Sequence, residues 1–83
     1  MNEKQQIIMN HIQSEYLADS ENETLALDTS LVEQGIIDSM GIFRLVYFLQ
    51  ETFEISLEPG DVLLRNFKNV EVIAELVAQK TTD

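Results

Sequence analysis

One hydroxyl in this chain stands in a position suited to chemistry. Ser39 directly follows Asp38 and precedes Met40-Gly41, at the head of a strongly periodic apolar segment. Asp and Ser are among the commonest residues at helix N-termini, so the pair first predicts a helix start capped by Asp38 or Ser39. The same position presents a primary hydroxyl at the end of a loop, where unpaired backbone N–H groups and the helix dipole favour a phosphate ester by about 0.3–1 kcal/mol. No neighbouring residue is suited to take the serine's proton, so it is weak as an unaided nucleophile. It suits an enzyme that brings its own base or metal to the hydroxyl.

The other candidates for chemistry fall away on spacing. Between Gln5 and Phe43 there is no Lys or Arg, while Glu15, Asp19, Glu21, Glu23, Asp28, Glu33 and Asp38 all lie there. A calcium loop starting at Asp19 places Glu21 and Glu23 at its third and fifth positions. The glycine and the bidentate glutamate that such a loop requires at positions 6 and 12 are Thr24 and Ser30, so a solvated acidic loop is expected and no metal. Glu71 and Glu75, one turn apart, describe an exposed helix face rather than an acid–base pair. His11, the one histidine, does not complete a triad with Ser39, because Asp38 adjoins the hydroxyl instead of backing the imidazole. An ordinary surface histidine is expected there. The three glycines are isolated and build no phosphate loop. No catalytic residue is assigned.

Apolar periodicity supplies the elements that position Ser39. Ile8, Ile12 and Tyr16, with Met9 alongside, predict a helix over residues 3–17 that Asn2 caps. Residues 18–30 lack sustained periodicity and predict a long loop, with Leu25 and Leu27 turned inward. In Gly35-Ile36-Ile37, the glycine ends a turn and the two isoleucines plug the core. Ile42, Leu45, Val46, Leu49 and Phe53 predict a well-buried second helix over 39–52. Glu58-Pro59-Gly60-Asp61 breaks the chain, and Pro59 or Asp61 starts a short helix holding Val62, Leu63 and Leu64. Asn69 caps a last helix over 70–79, with Val70, Ile73, Ala74 and Val77 on one face. The expected fold is all-α: three main helices plus one short helix, with a long loop between helices 1 and 2.

Composition narrows the function classes. The 83 residues carry 15 acids and 5 bases, a formal charge of −10, with no cysteine. The length predicts a single domain over residues 1–83, burying only about 60–65% of its unfolded surface. Absence of cysteine excludes disulfides and thiolate zinc sites. Five cations against fifteen anions argue against nucleic acid as a partner and favour proteins that present Arg and Lys. The longest uninterrupted apolar run is Leu45-Val46-Tyr47-Phe48-Leu49, far short of the ~18–20 residues that span a bilayer. The polar start, Met1-Asn2-Glu3-Lys4-Gln5-Gln6, lacks the ~7–15 apolar residues of a secretion signal. A cytoplasmic monomer without membrane insertion is expected.

At Asp38-Ser39-Met40 the chain resembles the acyl carrier protein family, whose attachment motif is Asp-Ser-Leu at the start of the second helix. The resemblance covers most of the chain. An amphipathic helix and a long loop precede Leu31…Gly35-Ile36-Ile37-Asp38-Ser39, and the second helix ends Leu49-Gln50-Glu51-Thr52-Phe53 like the family's Leu-Glu-x-x-Phe. It implies that Ser39 accepts 4′-phosphopantetheine from coenzyme A through a separate phosphopantetheinyl transferase, with Asp38 and Met40 beside the attachment point. The arm's thiol then carries an acyl or aminoacyl group between a loading enzyme and downstream synthases, and the carrier itself catalyses nothing. Met40, Phe43, Arg44 and Tyr47 line the face near the arm that partners touch, with ordinary bundle packing the open alternative for Phe43 and Tyr47.

Departures from the pattern bear on subtype. Met replaces Leu at position 40 at similar volume. Gly41 in the first turn suggests close approach of a partner or cofactor. Residues 39–52 hold only Arg44 and Glu51 as charges, and Arg44 stands where the family commonly has an acid. The resemblance therefore implies a specialised pathway, polyketide or nonribosomal peptide synthesis, rather than housekeeping fatty acid synthesis. A D-alanyl carrier for cell-wall polymers is the alternative. From another class, the alternative is an unmodified helical adaptor in which Ser39 only caps.

Overall fold

A computed structural model of the protein describes residues 2–17 and 25–81. The acidic stretch Asp19, Glu21 and Glu23, and with it half of the twelve-residue span weighed above as a calcium loop, lies outside the described residues.

Helix α1 (Glu3–Tyr16) starts where a reciprocal capping box forms: the Asn2 side chain accepts from the Gln5 N–H at 2.8 Å, and Gln5 Oε1 accepts from the Asn2 N–H at 3.0 Å. Its predicted stripe points inward, with Ile8 and Ile12 fully buried and Met9 nearly so. Helix α2 (Ser39–Phe53) buries Ile42, Leu45 and Leu49, and ends at Glu54 in the left-handed conformation, φ 53°. Helix α3 (Val70–Thr81) is capped by Asn69, which accepts from the Val72 N–H at 2.8 Å, and buries Val70, Ile73, Ala74, Leu76 and Val77.

The single short helix predicted around Val62–Leu64 is replaced by two 3₁₀ turns, Pro59–Asp61 and Leu64–Phe67, so the described residues form three α-helices and no fourth. The cause is local. Asp61 turns back to accept the Glu58 N–H at 2.9 Å, closing the first turn after three residues. Asn66 Nδ2 then donates to the Asp61 carbonyl at 2.8 Å, and Lys80 pairs with the Asp61 carboxylate at 2.8 Å. The second turn buries Phe67, the largest of the fully buried side chains, which apolar periodicity did not single out.

The segment between α1 and α2 is anchored from Leu25 onward. Leu25 is buried and Leu27 packs against the core, as its sequence position suggests. The Leu31 N–H donates to the Lys68 carbonyl at 2.9 Å, and Glu71 N–H to the Leu27 carbonyl at 3.2 Å, tying the loop to both sides of α3's start. Among the described residues no helix is long and apolar enough to cross a membrane.

Candidate functional site

The approach to Ser39 is a turn built on Leu31. This fully buried residue accepts from the N–H groups of both Ile36 (2.9 Å) and Ile37 (3.2 Å). The chain reverses at Gly35, whose φ of 73° is cheap only for glycine. Ile37 then drops into the core at 2% exposure while Ile36 stays half-buried. Anchored on one side and turned on the other, the next three residues, Asp38, Ser39 and Met40, are all exposed.

Within that exposed triplet the two polar residues divide the work. Asp38 is the cap: its Oδ1 accepts from the Gly41 N–H at 2.8 Å. Ser39 is the first helical residue, and no hydrogen bond among the described residues engages its hydroxyl. Because the carboxylate takes the capping role, the hydroxyl is left facing solvent at a helix N-terminus.

Gly41 is buried, and its neighbours belong to this chain. A Cβ there would come within 3.0 Å of Ile37 Cγ2, 3.1 Å of Tyr16 Cε1 and 3.3 Å of Asp38 Oδ1. The expected approach of a partner or cofactor to Gly41 is thus corrected: the close approach is internal, made by the last residue of α1. Tyr16 seals it by donating its hydroxyl to the Gly41 carbonyl at 2.9 Å. Burial raises the Tyr16 phenol above its ordinary pKa, with Arg44 opposing and Glu15 and Asp38 adding to the rise.

Along α2 a second face emerges beside the buried one. Met40, Phe43, Arg44, Tyr47, Phe48 and Glu51 recur at helical spacing on the outer side. Phe43 is 65% and Tyr47 66% exposed, so neither is core. Arg44 is exposed as well. Phe48 is half-buried because His11 of α1 lies flat on it, ring centroids 3.6 Å apart and planes within 7°. The surface histidine expected from sequence is therefore half-covered, with Tyr16 edge-on at 6.2 Å. Desolvation lowers its pKa below the usual value, against an opposing pull from Glu15.

These contacts leave an open groove of about 600 Å³ between α1 and α2, walled by His11, Tyr16, Phe43, Tyr47 and Phe48 and edged by Arg44, Glu15 and Glu51. Tyr16 and Arg44 also line a smaller hollow of about 200 Å³ beside Asp38 and Met40. Sequence reasoning missed Phe48, His11 and Tyr16 as parts of this face. Phe48 had a signal, one turn beyond Arg44; His11 and Tyr16 had none, because their partners lie on another helix. Among the described residues no cluster of three or more His, Cys, Asp or Glu is placed to hold a metal.

No family model matches the chain. It is similar, at 36% identity over 70 residues, to a probable acyl carrier protein, PigG, of a Serratia species, covering 84% of this chain and 79% of that one. It is similar, at 37% identity over 57 residues, to the D-alanyl carrier protein of Lactococcus lactis subsp. cremoris, covering 69% of this chain and 72% of that one.

Proposed function

The chain belongs to the acyl carrier protein family, and on that premise we propose that it carries 4′-phosphopantetheine on Ser39 and shuttles an acyl or aminoacyl group between partner enzymes. A carrier of this kind is not an enzyme. The observation that supports the assignment best is the division between the capping carboxylate of Asp38 and the free, exposed hydroxyl of Ser39. The residues around the hydroxyl fit the group: a helix N-terminus suits the phosphodiester's charge, and no neighbouring side chain covers the attachment point.

When bound, the arm supplies the thiol that the sequence lacks, and holds the cargo as a thioester. The protein's own residues do the rest. The Leu31-anchored turn fixes the direction in which Ser39 points. Asp38, exposed beside it, is placed to help the transferase and its metal engage the site. Met40, Phe43, Arg44 and Tyr47 form the face that the transferase, the loading enzyme and the downstream synthase touch. Met40 and the two rings offer adaptable contact, while Arg44 weakens docking of partners that rely on Arg and Lys. Tethering raises the cargo's effective concentration at each partner without any chemistry by the carrier.

That neutral, aromatic outer face supports a specialised pathway over housekeeping fatty acid synthesis. The similarity to a D-alanyl carrier supports a second cargo class, an amino acid rather than an acyl chain. Incubation with coenzyme A and a broad-specificity transferase, followed by intact-mass measurement, tests the modification. Wild type gains one phosphopantetheine and Ser39→Ala gains none. Absence of any gain with several transferases overturns the assignment and favours a helical adaptor. The mass of the cargo released by mild base from protein isolated from its own cells separates acyl from aminoacyl loading.

A further inference from the structure

We propose that the outer groove between α1 and α2 is a docking site for cargo, and that the cargo it takes is a planar aromatic acyl group carried on Ser39; this rests on Ser39 bearing the arm. Five of the nine residues that wall the groove are rings: His11, Tyr16, Phe43, Tyr47 and Phe48. Two of them already stack face to face, and a third meets that stack edge-on, so this end of the groove is a preformed aromatic surface. Phe43 and Tyr47 stand beside it about two-thirds exposed, and among the described residues neither ring pairs with another. A planar ring gains offset or edge-to-face contacts there, whereas a saturated group of equal size gains burial alone. Arg44 on the rim adds a cation to the face of such a ring.

Continuity ties the groove to the modification site. Tyr16 and Arg44 line both the groove and the hollow beside Asp38 and Met40, so one surface runs from the foot of Ser39 outward along α2. At a rise of about 1.5 Å per residue, Phe43 to Phe48 lie roughly 6–14 Å along the helix from Ser39. The arm is as long as about five extended residues, roughly 17 Å, so its end reaches this stretch. The opposite face of α2 offers less, since Leu45 and Leu49 are fully buried against the other helices. A tether at this range turns even a weak contact into substantial occupancy.

The sequence provides the reporter. It has two tyrosines, Tyr16 and Tyr47, and no tryptophan, so intrinsic emission comes from the groove alone. The transferase is used to load the chain with non-hydrolysable pantetheine analogues ending in benzoyl or cyclohexanecarbonyl groups, and intact mass confirms loading. The benzoyl form is expected to change tyrosine emission and to shift the ring resonances of His11, Tyr16 and Tyr47. Its docked population should exceed that of the cyclohexane form by about two- to tenfold. In Phe43→Leu/Tyr47→Leu, whose folding is checked by circular dichroism, the shifts at His11 and Tyr16 should be lost.

Identical spectra for the benzoyl-loaded and unloaded arms overturn the proposal, as do equal effects from the two analogues. Shifts that grow with protein concentration also overturn it, because the occupant is then another molecule. No mass gain at all overturns the carrier assignment itself, an outcome distinct from loading without docking.

Discussion

The Tyr16 hydroxyl donates a 2.9 Å hydrogen bond to the carbonyl of Gly41, joining the last residue of α1 to the first turn of α2. The contact sits two residues from Ser39, and it is possible because position 41 has no side chain. Through it, the direction in which Ser39 is presented depends on a helix that begins more than thirty residues earlier.

Gly41→Ala should therefore destabilise the protein, although glycine costs about 1 kcal/mol relative to alanine in a helix interior. The added carbon meets Ile37 and Tyr16 at 3.0–3.1 Å. Ile37 is buried and Tyr16 is held by its own hydrogen bond, so neither yields freely. Overpacking of ~1–3 kcal/mol outweighs the propensity gain, for a net loss of about 1 kcal/mol. A lower urea midpoint with an unchanged slope is the expected result.

Tyr16→Phe keeps the ring against Gly41 and removes only the hydroxyl. A loss of about 0.5–1.5 kcal/mol is expected. Thermal unfolding measures the loss. A rise in KM for modification of Ser39, with kcat unchanged, would mark the contact as positioning the serine.

Position 38 separates a structural role from an electrostatic one. Asp38→Ala removes the cap and should cost about 1 kcal/mol, within the usual 0.5–2. Asp38→Asn keeps an oxygen for the Gly41 N–H and should unfold like wild type. If the charge serves the transferase and its metal, the Asn variant is modified more slowly despite normal stability. Paired unfolding and modification assays distinguish the two.

His11 gives the fold a pH dependence with a definite sign. Burial holds its folded pKa below the unfolded value, so the unfolded chain takes up the proton first as pH falls. Stability is full above about 6.5 and declines below it, toward the lowered folded pKa. The groups facing His11 are Phe48 and Tyr16, with Glu15 on its own helix and Arg44 and Glu51 across the groove. His11→Phe keeps a ring on Phe48 without a titrating group. Its unfolding temperature should be flatter than wild type between pH 7 and 5.

Arg44→Glu places an acid on the exposed face of α2. Modification by a transferase that prefers acidic carriers should speed up, and the gain should shrink as salt rises from low to physiological strength. Initial rates at two ionic strengths measure both effects. A rate unchanged or slower than wild type contradicts the role given to this face.

Much of this molecule was legible as a pattern along one helix at a time. The stripes Ile8–Ile12, Ile42–Leu45–Leu49 and Val70–Ile73–Val77 are buried as their spacing predicts, because a 3.6-residue period puts them on one side whatever they pack against. The caps Asn2 and Asn69 were legible too, since a cap acts on N–H groups two or three residues away. The region around Pro59–Phe67 was not. There Asp61 chooses between continuing a helix and closing a turn, and its pairing with Lys80, nineteen positions on, belongs to the tertiary fold.

Sequence by itself determined that a hydroxyl would stand at a helix N-terminus after a tight turn, because cap, turn and helix are local and Gly35, Asp38 and Ser39 lie within five positions of each other. Both residue types cap, so the sequence left open which of Asp38 and Ser39 does; only the tertiary structure decided that Gly41 faces Tyr16. It alone turned an apparent surface histidine into the floor of an aromatic groove. Those outcomes depend on how closely α1 and α2 approach. Interhelix distance is set by side chains meeting from far apart in the chain, which no single helix's periodicity contains.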